Sequence, residues 1–133
     1  MSNASGARER PLSPHVQVWR WHVTMATSIL HRISGVGLYV GFLVLAGWAI
    51  ALARGEETYA AYKGLLASPV GLVVLFALTA GAFYHLANGI RHLIWDTGHG
   101  LDLKSATGSA WFVIAFTVVA TVAVWAAYFL GIV

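Results

Sequence analysis

What most constrains this chain is the distribution of charge. Three long apolar stretches, residues 33–53, 65–90 and 106–133, contain no Asp, Glu, Lys or Arg. Each reaches the roughly 20 residues that a helix needs to cross about 30 Å of hydrocarbon. A helix can make that crossing because it satisfies its backbone hydrogen bonds internally. The helices of a soluble bundle would each need a charged outer stripe, and none of these stretches has one. Composition agrees: 59% of the residues are hydrophobic and 10% charged, against about a quarter charged in ordinary soluble domains. The expected fold class is an all-α integral membrane protein with three transmembrane helices in a lipid bilayer. A long polar leader precedes the first stretch, which is also longer than the apolar core of a signal peptide, so the first span is expected to be retained.

Residues 1–18, with Pro11 and Pro14, read as a polar N-terminal arm. Residues 19–133 read as the membrane domain, turning helical from about Trp19, with spans at about 29–53, 68–95 and 106–131. A short connection at 56–64 and a polar loop at 97–105 separate them. Pro69 suits the first turn of the second span. Arg8, Arg10, Arg20 and Arg32 lie at or before the start of the first span, and Arg91 and Lys104 flank the second loop. Arg54 and Lys63 are the only basic residues of the first loop. The positive-inside rule then places the amino terminus and second loop in the cytoplasm, and the first loop and carboxyl terminus outside.

The chain has no cysteine, so it supplies no thiolate to an iron–sulfur cluster, attaches no haem covalently and forms no disulfide. There is no Gly-rich nucleotide fingerprint, P-loop or H-E-x-x-H zinc signature, and 133 residues of mostly lipid-embedded helix leave no room for a flavin domain. Any electrons this protein handles come from a partner. A net charge of +3 with scattered basic residues gives no support to nucleic-acid binding.

Depth separates the six histidines. His15 and His22 precede the apolar core, His99 is in the second loop, and His31 and His92 sit at the cytoplasmic ends of the first two spans. His85 lies two helical turns further in than His92, about 10 Å deeper at 1.5 Å per residue. A polar side chain at that depth needs a partner. Either a neighbouring helix accepts its hydrogen bond, or a cofactor takes it as a ligand. Ala77, Gly81 and Gly89, at i−8, i−4 and i+4, would let a flat macrocycle lie against the backbone, or equally let another helix approach. If His85 binds haem, His92 cannot be the opposite ligand, because it points the same way from the same helix. His31 is expected at the depth of His92 rather than of His85. The second ligand then comes from another chain, or a different haem is held by His31 and His92 at the membrane boundary.

Trp21, Met25, Ser28 and Arg32 fall at i, i+4, i+7 and i+11, one stripe of a helix. The stripe suits a quinone head group, which needs apolar walls and hydrogen-bond donors to its carbonyls. An interfacial belt with a snorkelling arginine also accounts for it and is, on the residues alone, the simpler account.

Three motifs occur in order: Arg10-Pro11-Leu12-Ser13-Pro14-His15; Ser28-Ile29-Leu30-His31-Arg32-Ile33-Ser34-Gly35; and His85-Leu86-Ala87-Asn88-Gly89-Ile90-Arg91-His92-Leu93-Ile94-Trp95-Asp96. In these the chain resembles the large cytochrome b (b556-type) membrane-anchor subunits of succinate dehydrogenase, respiratory complex II. The likeness runs from about Arg10 to Leu101. It implies that the spans form part of a multi-subunit helical bundle with a small membrane-anchor subunit, an iron–sulfur subunit and a flavoprotein subunit. It also implies haem b as cofactor, with His85 as one axial ligand to the iron and a histidine of the small anchor subunit as the other. By the same resemblance His31, Arg91 and His92 fall near the haem propionates, Ser28 and Arg32 fall in the ubiquinone site, and Trp21 and Met25 line its apolar wall.

The implied function is ubiquinone reduction at the end of a relay linking the tricarboxylic acid cycle to respiratory electron transport, with succinate oxidation catalysed by other subunits. A bacterial inner membrane is the expected location, with the mitochondrial inner membrane as the alternative. The competing functions are the anchor of a fumarate reductase and a small non-redox membrane protein with His85 in a proton path.

Overall fold

The computed structural model describes residues 19–132. The N-terminal arm, with its motif at 10–15 and His15, lies outside them. Four helices follow in order: α1 (Val23–Ala53), α2 (Glu56–Ala67), α3 (Pro69–Asp96) and α4 (Leu103–Phe129). α1, α3 and α4 are long and apolar enough to cross a membrane.

α1 starts later than the expected Trp19. His22 is its N-cap, extended at φ −127° and ψ 146°, and its Nδ1 accepts the Thr24 N–H at 3.3 Å. The ring nitrogen thereby satisfies one of the amide donors that every helix start leaves free. At 31 residues, α1 is about 46 Å long and extends past the hydrocarbon.

The first connection is itself a helix. Gly55, at φ +102°, makes the reversal after α1, a backbone state that a side chain would strain. Glu56 and Glu57 occupy the first turn of α2, where their charge favours the positive end of the helix dipole. Tyr62 then donates to the Val44 carbonyl at 2.7 Å, against Gly47, where even a Cβ would stand 2.7 Å from the tyrosine oxygen. Twelve residues with this little apolar pattern signal a helix weakly on their own, and docking on α1 supplies the rest.

Ser68 ends α2 and caps α3, its Oγ accepting the Gly71 N–H at 3.1 Å, with Pro69 in the first helical position. Asp102 caps α4 by accepting the Ser105 N–H at 2.9 Å. That backbone hydrogen bond, joined by the Ser105 side chain, holds the exposed carboxyl of Asp102 below its ordinary range.

α3 packs against both α1 and α4, and the buried set is small and half polar: Thr27, Asn88, Arg91 and Thr121 beside Ala51, Tyr84, Ala110 and Val113. Large apolar side chains such as Phe42, Leu43, Phe112 and Val119 face outward. This is the inverse of a water-soluble core and suits a hydrocarbon surrounding.

Candidate functional site

α1 and α3 run antiparallel, and their register is set by glycines. A Cβ on Gly35 would stand 3.2 Å from Cε1 of His85, one on Gly89 would stand 4.0 Å from Cε1 of His31, and one on Gly41 would meet Leu78. Each helix therefore seats its partner's histidine against a glycine of its own. Small residues allow this close approach, which a larger side chain would prevent.

His85 is half-buried on α3. Its Nδ1 lies 3.2 Å from Oγ of Ser34, and that hydroxyl also donates to the His31 carbonyl at 2.9 Å. No hydrogen-bond partner to His85 Nε2 occurs among the described residues. Immediately deeper, an open groove of about 420 Å3 runs between α1 and α3, lined by Ser34, Gly37, Ala77, Leu78 and Gly81 among others. A Cβ added at Gly37 or Gly81 would meet nothing within 4 Å. Gly37, Ala77 and Gly81 keep part of the groove shallow, and Ile33, Leu38, Val40, Val74 and Leu78 make the rest of its lining apolar. Of the three small residues at helical spacing from His85, Ala77 and Gly81 line this groove, and Gly89 receives His31 instead.

The structure corrects the expected depth of His31. Its ring lies between those of His85 and His92, stacked at 4.1 Å and 14° on the first and at 5.1 Å and 13° on the second. The crossing register sets His31 opposite Gly89, between His85 and His92, and its ring stacks closer to that of His85; a register is not readable from counting in from each membrane boundary. The Nδ1 of His31 is buried and has no hydrogen-bond partner among the described residues. His92 donates from Nδ1 to the Asn88 carbonyl of its own helix at 2.8 Å.

Three stacked imidazoles do not converge on one point. No group of three or more His, Cys, Asp or Glu residues that could hold a metal ion by itself occurs among the described residues. A haem iron needs only one ligand from each side. The fit to half of a haem site therefore rests on the groove, the free Nε2 of His85 and the unsatisfied Nδ1 of His31.

Arg91 is only 4% exposed. It donates from Nε to Ser109 Oγ at 2.8 Å, from Nη2 to the Ala106 carbonyl at 2.8 Å, and from Nη1 to Thr27 Oγ1 and Asn88 Oδ1 at 3.4 and 3.3 Å. Its guanidinium carbon also sits 3.9 Å from the centre of the Trp95 ring, a favourable cation–π position. None of these partners is a carboxylate. The guanidinium fork is engaged by α1, α3 and α4, so Arg91 reaches a nearby carboxylate through its charge more than through a free donor. Thr27, Asn88, Tyr84 and Ser109 complete this cluster, with Tyr84 donating to the Thr27 carbonyl at 2.6 Å. None of the four stood out in the sequence, since Ser, Thr, Asn and Tyr in a span signal nothing until the facing helix is known. Asn88 and Ser34 were visible only as parts of motifs.

Ser28 and Arg32 lie one turn apart on α1, and Arg32 Nη2 donates to Ser28 Oγ at 3.4 Å. Met25 shares their helix and is 36% exposed. Trp21 precedes α1, so it is outside the helical stripe expected of it. It is 59% exposed and packs edge-on to Trp19 at 5.6 Å. Met25, Ser28 and Arg32 lie on the first turns of α1 and Trp21 just before it, with Trp21, Met25 and Arg32 exposed and no enclosing wall facing them among the described residues.

Comparison with known proteins gives a consistent result. The family described as Succinate dehydrogenase/Fumarate reductase transmembrane subunit matches across residues 6–124. The chain is 35% identical over 117 residues to the succinate dehydrogenase cytochrome b556 subunit of Rickettsia felis, covering 88% of this chain and 91% of that protein. It is 36% identical over 113 residues to the protein of the same name from Paracoccus denitrificans, covering 85% and 87%. It is also 37% identical over 122 residues to the mitochondrial succinate dehydrogenase cytochrome b560 subunit of Sus scrofa, covering 90% and 72%.

Proposed function

The chain belongs to the succinate dehydrogenase/fumarate reductase transmembrane-subunit family, and from that membership we propose that it is the cytochrome b anchor of a succinate:ubiquinone oxidoreductase. On this reading it holds one face of a haem b and one wall of the ubiquinone site. A histidine of the small membrane-anchor subunit would be the haem's second ligand. The flavoprotein and iron–sulfur subunits oxidise succinate and deliver its electrons. The names of the relatives favour succinate oxidation over the fumarate-reducing direction.

One observation carries the haem reading: His85 has Nδ1 in contact with Ser34, a residue that lines the groove together with Gly37 and Gly81, and its Nε2 has no hydrogen-bond partner among the described residues. A haem bound there would supply a one-electron carrier. His85 would bind its iron, with His31 donating toward the propionates, His92 lying beside them with its Nδ1 held by the Asn88 carbonyl, and Arg91 adding positive charge. At the quinone, Ser28 would donate to a ring carbonyl, and Arg32 would stabilise the negative charge that develops there as two electrons arrive and two protons follow. Trp21 and Met25 would give the ring its apolar wall.

A reduced-minus-oxidised spectrum of the purified complex tests the haem assignment. A b-type signal should vanish in His85→Ala and survive in His92→Ala. The opposite pattern would move the haem to the membrane boundary, and no signal in the wild-type complex would end the haem reading.

A further inference from the structure

We propose that Ser34 is a positioning residue for the axial histidine, holding His85 in the tautomer that leaves Nε2 free to bind iron. This rests on the haem reading above and assigns a role to a residue of the facing helix.

A serine hydroxyl has one proton, and Ser34 has two partners in reach, the His31 carbonyl at 2.9 Å and His85 Nδ1 at 3.2 Å. The carbonyl can only accept, so it takes the proton. A lone pair of the serine oxygen is then left for His85, and the ring must donate from Nδ1. A neutral imidazole that donates from Nδ1 carries its free lone pair on Nε2. Back-bonding to a carbonyl one turn earlier is the ordinary behaviour of a helix serine. The contact to a ring on another helix is not. Gly35, the next residue, sets the reach, since a Cβ there would stand 3.2 Å from the same imidazole. Ser34 and Gly35 together fix both the proton and the position of the His85 ring. A hydrogen bond from the non-ligating nitrogen also strengthens an imidazole as a donor, which favours the more highly charged oxidation state of its metal.

The test is a comparison of Ser34→Thr with Ser34→Val in the whole membrane complex. These side chains have nearly the same shape and differ in the hydroxyl. Haem per complex and the haem midpoint potential are the readouts, with co-purification of all subunits as the check on assembly. Ser34→Thr should keep both near the wild-type values. Ser34→Val should lower haem retention about tenfold and raise the midpoint by up to a tenfold change in the ferric-to-ferrous ratio, about 59 mV for a one-electron couple. Ser34→Ala should follow Ser34→Val, and it serves as the second variant if the larger side chain blocks assembly. Equal haem retention and potential in Ser34→Thr and Ser34→Val, or equal loss in both, would overturn the role of the hydroxyl. Failure of the haem reading itself looks different: the wild-type complex would then carry no haem, or His85→Ala would retain it.

Discussion

Ser28 and Arg32 are the residues on which quinone chemistry would fall, and their geometry limits how they can act. The 3.4 Å contact between Arg32 Nη2 and Ser28 Oγ is long for a hydrogen bond and exposed, so it gives way readily when a better acceptor arrives. Removing either donor should leave a developing oxyanion less stabilised. Ser28→Ala and Arg32→Ala are each expected to lower succinate–quinone turnover on the order of tenfold or more, while succinate oxidation coupled to a soluble dye stays near wild type. Parallel loss of both activities would instead indicate a failure of assembly. Gly35 and Gly89 matter at this scale for a different reason, since neither carries a functional group and each admits the other helix's histidine.

Between elements, the decisive contact is the one that Arg91 makes with three helices at once. It reaches Thr27 of α1, Asn88 of its own helix, and Ser109 and Ala106 of α4. In a hydrocarbon surrounding there is little drive for apolar helices to associate, and packing with polar contacts does more of the work. Four hydrogen bonds from one buried guanidinium therefore weigh heavily. Arg91→Met should destabilise the bundle by roughly 2–4 kcal/mol, since it leaves several buried acceptors unpaired. Arg91→Lys keeps the charge but not the planar fork and should recover less than half of that loss. The thermal midpoint of the detergent-solubilised complex is the measurement. A lysine variant that melts like wild type would show that charge, not the fork, holds the helices.

For the whole molecule, three spans require the two termini to lie on opposite sides of the membrane, and the basic residues favour a cytoplasmic amino terminus. In a bacterial host, a carboxyl-terminal alkaline phosphatase fusion should be active, and one in the loop at 97–105 inactive. The reverse pattern would invert the proposed orientation. The outward apolar side chains and the open groove beside His85 also make the chain a poor unit on its own. It is built to be covered by lipid and, on the proposed reading, by the small anchor subunit facing His85.

The sequence by itself determined that three helices cross the membrane, because uncharged length is a property of each stretch alone. It singled out His85, since the cost of a polar group in hydrocarbon depends chiefly on depth. It also carried the family, because its motifs are local strings of residues. Counting inward from each boundary could not place His31 between His85 and His92, as that position depends on how α1 and α3 cross. Nor could it show α2 as a helix, whose pattern is weak until Tyr62 reaches Val44, or the clasp that Arg91 makes through Thr27 and Ser109. The hydroxyl of Ser34 came within reach of His85 only on folding. These features are relations between residues far apart in the chain, and packing sets the distances between them.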